Sequence, residues 1–213
     1  MAGLRFTLIS DGSSDRAFLP LLKWVLNRNG VRFDVTGDWA DWGRFRNPPK
    51  SLAKKVESAV QLYPCDLLFI HRDAEGEDPT RRREEIRRAL EGVDIPIPPS
   101  VCLVPVRMME AWFLFSEQAI REASGNPNGA GNLGIPRVRD LEALPDPKAA
   151  LNQLLRDSSG LSGRRLKGFR AAAAIHRMAE IIDDFSPLLA LPAFRALDDE
   201  VQIMAQQQGW QSD

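Results

Sequence analysis

Cysteine is scarce in this chain. Only Cys65 and Cys102 occur among 213 residues, each beside or within an apolar run. That excludes a disulfide framework and gives both the character of small buried hydrophobes in a reducing compartment. Histidine is as scarce, with His71 and His176 alone. Without paired cysteines beside them, a structural zinc site is not expected. No apolar stretch approaches the roughly 18 residues that a bilayer span requires. The opening "MAGLRFTLISDG" lacks the layout of a signal peptide and soon reaches an acid, so the expected location is cytoplasmic, with no membrane partner. An excess of one charge is missing too. The 28 Lys and Arg against 29 Asp and Glu leave a net charge of −1, so a polyanion site has to be a local patch. There is no Walker A loop, no G-x-S-x-G elbow and no internal repeat.

What is present suits a globular chain, with 44% hydrophobic and 27% charged residues. Length allows one sizeable core, or a core with an appendage. "LRFTLIS" (4–10) is β-type, and "DGSSD" after it offers Ser13 or Ser14 as a helix cap. The spacing of Phe18, Leu21, Leu22, Val25 and Leu26 predicts a helix with one apolar face, stopped at Gly30. Val31, Phe33 and Val35 alternate as in a strand. "KSLAKKVESAVQLY" is helical, "DLLFIH" is a third strand, and "PTRRREEIRRALEG" a helix opened by Pro79. "VCLVPV" (101–106) is a fourth strand running into a helical "RMMEAWFLF". Alternating strands and helices over residues 1–123 predict an α/β fold with a mostly parallel sheet of about four strands and flanking helices. A loop rich in Gly, Asn and Pro (123–137) follows. The rest, within 124–213, reads as an α-helical C-terminal extension, with Asp146 capping a helix that starts at Pro147.

Ligands gather at the carboxyl ends of parallel strands. Three such ends carry acids here: Asp11 after the first strand, Asp73 and Glu75 after the third, and Glu110 after the fourth. Neighbouring strands would bring these carboxylates to one edge, where hard oxygen donors suit Mg²⁺ or Mn²⁺. The plainer alternative is that each acid is a turn or capping residue.

The segments "LISDGSSDRAFL", "DLLFIHRDAEG" and "VPVRMMEAWFL", in this order, resemble a Toprim domain, the metal-binding fold of topoisomerases, primases and overcoming-lysogenization-defect nucleases. The chain is more closely similar to a family of uncharacterised bacterial Toprim-like proteins, often encoded beside an ATPase in anti-phage defence loci. "LPDPKAALNQLL" and "SPLLALPAFRAL" extend the likeness over nearly the whole chain. The resemblance implies a metal-dependent phosphodiesterase or nuclease acting on nucleic acid, DNA or RNA, with an ATPase partner. It implies Asp11, Asp73 and Glu110 as catalytic residues and Asp11, Asp73, Glu75 and Glu110 as ligands of Mg²⁺ or Mn²⁺. Arg72, Arg107 or Lys167 would clamp the phosphate. Two positions depart from the Toprim pattern: Asp11 stands where it has Glu, and His71 where it has the first of two acids. They open a second reading, a non-catalytic partner or sensor that keeps the fold with a degenerate metal site. A small-molecule phosphohydrolase is a third.

Other signals are weighed against plainer ones. "HRD" lacks the companions of a kinase catalytic loop, and "GAGNLG" (129–134) follows a helix where a dinucleotide fingerprint follows a strand. "RRREEIRRAL" mixes signs and reads as a solvated helix face. "GRRLKGFR" (163–170) has few acids nearby, so Arg164, Arg165 and Lys167 are candidate phosphate contacts, read in a loop entering a helix. Trp39, Trp42 and Phe45 lie among arginines, which suits base stacking or packing of that loop onto the core.

Overall fold

Runs of Leu, Ile, Val and Phe build the sheet of the computed structural model, which describes residues 3–211. The strands are β1 (Leu4–Ile9), β2 (Val35–Trp39), β3 (Leu67–His71) and β4 (Ser100–Leu103). All pair in parallel, in the order β2-β1-β3-β4. All five residues of β3 are buried, as expected for a central strand covered on both faces.

Among the described residues, eight α-helices flank the sheet: α1 (Phe18–Arg28), α2 (Leu52–Leu62), α3 (Pro79–Glu91), α4 (Glu117–Ala123), α5 (Pro147–Ser158), α6 (Gly163–Lys167), α7 (Ala171–Ile181) and α8 (Pro192–Gln207). Side chains alternate across a strand, and the core divides accordingly. Leu4, Phe6, Leu8, Leu67 and Phe69 pack against α1, α4, α5, α7 and α8. Ile9, Leu68 and Ile70 pack against Val56, Ala59 and Ile86 of α2 and α3. Leu151, Met178 and Val201 of the C-terminal half belong to the same cluster as β1 and β3. Among the described residues no helix is long and apolar enough to cross a membrane.

Helix starts follow the side chains. Ser51, Asp78 and Asp146 each accept a hydrogen bond from a backbone N–H in the following first turn, at 3.3, 2.9 and 2.8 Å. Each such cap stabilises by about 1 kcal/mol. Neither Ser13 nor Ser14 caps the first helical turn; the Asp15 carboxylate instead accepts from the Gly12 N–H at 3.0 Å.

Four segments differ from their sequence reading, one of them the fourth strand, which ends at Leu103 and not at 106. The second strand is not 31–35 but Val35–Trp39, with Val31 in an isolated bridge to Gln211. Gly37 and Asp38 are poor strand formers, but the Phe6 ring lies where a Cβ on Gly37 would be. The segment after β4 forms a 3-10 turn, Met109–Phe113, before α4. Residues 163–167 form the short helix α6 where a loop was expected.

At the far side of the sheet, Glu200 of α8 accepts the Cys102 backbone N–H at 2.8 Å and pairs with Arg83 of α3 at 2.5 Å. It thereby ties two helices to β4.

Candidate functional site at the carboxyl edge of the sheet

β1 and β3 are adjacent, so their carboxyl ends deliver Asp11 and Asp73 to one place. The loop after β3 is held by backbone bonds from Ala74, Glu75 and Gly76 N–H to the carbonyls of Pro105, Arg107 and Val106. Glu75 and Gly76 both have positive φ, 55° and 85°, and Glu77 N–H closes the turn on the Ala74 carbonyl at 2.9 Å. These are the φ signs of a type I′ turn. The positive φ favours glycine at position 76, and a Cβ there would also push the end of the Arg107 side chain, whose Nη1 would lie 2.9 Å away.

The turn borders a cavity of about 400 Å³ lined by Asp11, Asp15, Asp73 and Glu75 and by His71, Arg72, Arg82 and Lys148, with Gly12 and Ser14. Three of the acids expected from the strand ends, and Arg72, are therefore brought together. Glu110 is not with them. It is buried and lines an adjoining cavity of about 560 Å³. Ser14 and Lys148 line both, and Lys148 Nζ is 3.3 Å from Glu110 Oε1. Arg107 lies against Gly76. Arg164, Arg165 and Lys167 sit on α6, and Arg165 lines a third cavity.

The charged cluster that ends a buried strand is explained by pairing. Asp11 is bound by Lys55 and by Arg72, whose other terminal nitrogen bonds Glu85. His71 is buried at the centre, with Nδ1 3.4 Å from Asp15 and Nε2 3.1 Å from Asp73. Burial pulls its imidazole pKa down, but the hydrogen bonds and charges of Asp15 and Asp73 more than reverse this and raise it to about 9. His71 is thus an imidazolium at neutral pH. Burial pushes the Asp15 carboxyl up and His71 brings it below its ordinary value; Lys55 and Arg72 do the same for Asp11. Arg82 faces Glu75 at 3.6 Å and Glu85 at 3.0 Å. The Arg72 Nε is buried with no hydrogen-bond partner.

No family model, no curated protein and no solved structure matches the chain. The chemistry of the edge therefore rests on its own geometry.

The oxygen donors are of the kind that Mg²⁺ or Mn²⁺ takes. As placed, they are engaged by the protein's own cations. Among the described residues no group of three or more His, Cys, Asp or Glu side chains is placed to hold one. Four acids and four bases line the cavity, so with His71 charged the wall is already neutral. A cation entering would compete with an imidazolium, a guanidinium or an ammonium for the same carboxylates.

Sequence reasoning missed Asp15, Lys55, Arg82, Glu85 and Lys148. Asp15 reads locally as a first-turn acid, and it does serve Gly12 in that way. Its second role needs His71, 56 residues on, and nothing local signals it. The tryptophans resolve toward packing. Trp39 and Trp42 donate their ring N–H groups to the Ser10 hydroxyl and carbonyl, both at 2.9 Å.

Proposed function

We propose that the chain is a Toprim-like partner subunit that recognises a phosphate-bearing ligand, nucleic acid being the expected class, and does not run metal-dependent hydrolysis by itself. The observation that carries this reading is His71, buried with one ring nitrogen facing Asp15 and the other facing Asp73 at the carboxyl edge. A fixed positive charge occupies the centre of the acids. Lys55, Arg72 and Arg82 extend it around the rim. Where a phosphate takes the place of one of the paired carboxylates, such an edge can meet it with protein cations, through charge-assisted hydrogen bonds. The resemblance supplies the context, an ATPase as partner and anti-phage defence as setting.

A second reading, a nuclease that recruits Mg²⁺ or Mn²⁺, is favoured by one observation: Asp11, Asp15, Asp73 and Glu75 do line a single cavity. Titration calorimetry with Mn²⁺, and cleavage of labelled DNA and RNA strands with Mg²⁺ or Mn²⁺, separate the two. The first reading expects no saturable metal binding that Asp73→Ala removes, and no cleavage by the isolated chain. Metal-dependent cleavage abolished by both Asp11→Asn and Asp73→Ala would overturn it in favour of the nuclease.

A further inference from the structure

Half of the arginines in this molecule, 11 of 22, have a carboxylate partner among the described residues. On α3, Arg81, Arg82, Arg83, Arg87 and Arg88 all have a carboxylate within 4.0 Å. The cavity between α6 and α7 is different. It measures about 340 Å³, and Arg165, Arg170 and Arg177 line it together with Phe169, while no Asp or Glu does. None of the three arginines has a carboxylate in ion-pair distance among the described residues, although Arg165 and Arg170 are exposed on a chain of net charge −1.

Local structure sets the trio in place. Arg170 stands at the N-cap position of α7, with no cap bond from its side chain, and Arg177 lies two turns on; both line the cavity. Ala173 and Ala174 between them also line the cavity, and their small side chains leave it open. α6 brings Arg165 to the opposite wall, with Arg164 and Lys167 exposed on the same short helix. Phe169 is half-buried, packed on the core on one side and lining the cavity on the other. Unpaired guanidiniums around an opening, with one aromatic ring in the wall, match a backbone-tracking site for a single strand: arginine takes phosphate oxygens two at a time, and a ring accepts a base face.

We propose that the cavity between α6 and α7 is a phosphate-binding site for a single nucleic-acid strand, formed by Arg165, Arg170 and Arg177 with Phe169 as a stacking surface. The inference rests on the nucleic-acid reading above and places the strand away from the carboxyl edge. α7 separates the two regions: Ala172, Ile175 and His176 line the cavity that holds Glu110, while Arg170, Ala173 and Arg177 line this one.

The test uses the full chain and fluorescence anisotropy with labelled single-stranded DNA and RNA, across a range of salt. Each lost phosphate contact removes about 0.7 from the slope of log affinity against log salt. Changing Arg165, Arg170 and Arg177 together to Ser should therefore flatten that slope by about 2 and weaken binding about tenfold or more at low salt, whatever the base sequence. Arg87→Ser with Arg88→Ser, in paired and exposed positions, should leave both unchanged. A folded triple variant with the parent's affinity and slope would overturn the site while leaving the nucleic-acid reading intact. No binding of either strand to the parent would overturn both. A mononucleotide that binds the trio as tightly as the strand would assign the cavity to a small phosphate compound and overturn the strand.

Discussion

The His71 clamp makes stability depend on pH in a direction opposite to that of a carboxylate. Its imidazole pKa is about 9 in the folded chain, against 6.5 ordinarily. The folded state therefore holds a proton that the unfolded state releases. The stabilisation is fully present below about pH 6.5 and disappears as pH rises through about 9. A tenfold gain in proton affinity on folding corresponds to about 1.4 kcal/mol, so the whole contribution is about 3 kcal/mol, and about 2 kcal/mol of it should vanish between pH 7 and pH 9. The lowered carboxyl of Asp15 is the same interaction seen from the partner and adds nothing further. Chemical denaturation at several pH values gives the loss. The thiols of Cys65 and Cys102, both pushed up by burial and the latter to about 12, add a loss of the same sign near the top of this window. Comparison with His71→Gln, which retains both thiols, isolates the clamp. Proton NMR of the imidazole gives the midpoint directly in the parent, and Asp15→Asn should lower it. A midpoint at or below 6.5, or stability that does not change between pH 7 and pH 9, would refute the clamp and the functional reading built on it.

Gly37→Ala should destabilise by about 1–3 kcal/mol through overpacking, since the new Cβ would run into the Phe6 ring; adding Phe6→Leu in the same chain should recover part of the loss in a denaturant titration. Lys148→Gln should cost about 1 kcal/mol, given that the lysine is half-exposed and its charge partly screened, and the double change with Glu110→Gln should cost less than the two single changes together. Asp11→Asn releases Lys55 and Arg72 from their carboxylate; a labelled oligonucleotide should then bind more tightly in anisotropy, whereas a chain that depends on a metal at Asp11 would bind or cleave it less.

The parallel sheet was legible because its signals are local. "DLLFIH" is too apolar for a half-exposed strand, and the five apolar residues predicted on one face of α1 are all buried there. The second strand was misplaced because Val31, Phe33 and Val35 alternate so well, while Gly37 and Asp38 carry no strand signal. What decides the matter is Phe6, which leaves room opposite it only for glycine. The acidic edge was half legible. Strand ends point to Asp11, Asp73 and Glu75, and topology brings them together. Their neutralisation depends on Lys55 from α2 and Arg82 from α3, helices whose basic residues look like ordinary solvated faces until the sheet order is known. Glu110 was separated from the others because the chain after β4 turns through a 3-10 segment that buries its side chain.

Glu200 has a consequence for how this molecule meets others. β4 ends the sheet, and its outer N–H groups would be free to pair with a strand from another chain, the usual route to edge-to-edge aggregation. Glu200 reaches across from α8 and takes the Cys102 N–H for itself, while Arg83 holds the carboxylate in place. Helix α8 thus acts as a lateral stop. It disfavours strand addition along β4 and leaves β2 as the sheet's other edge.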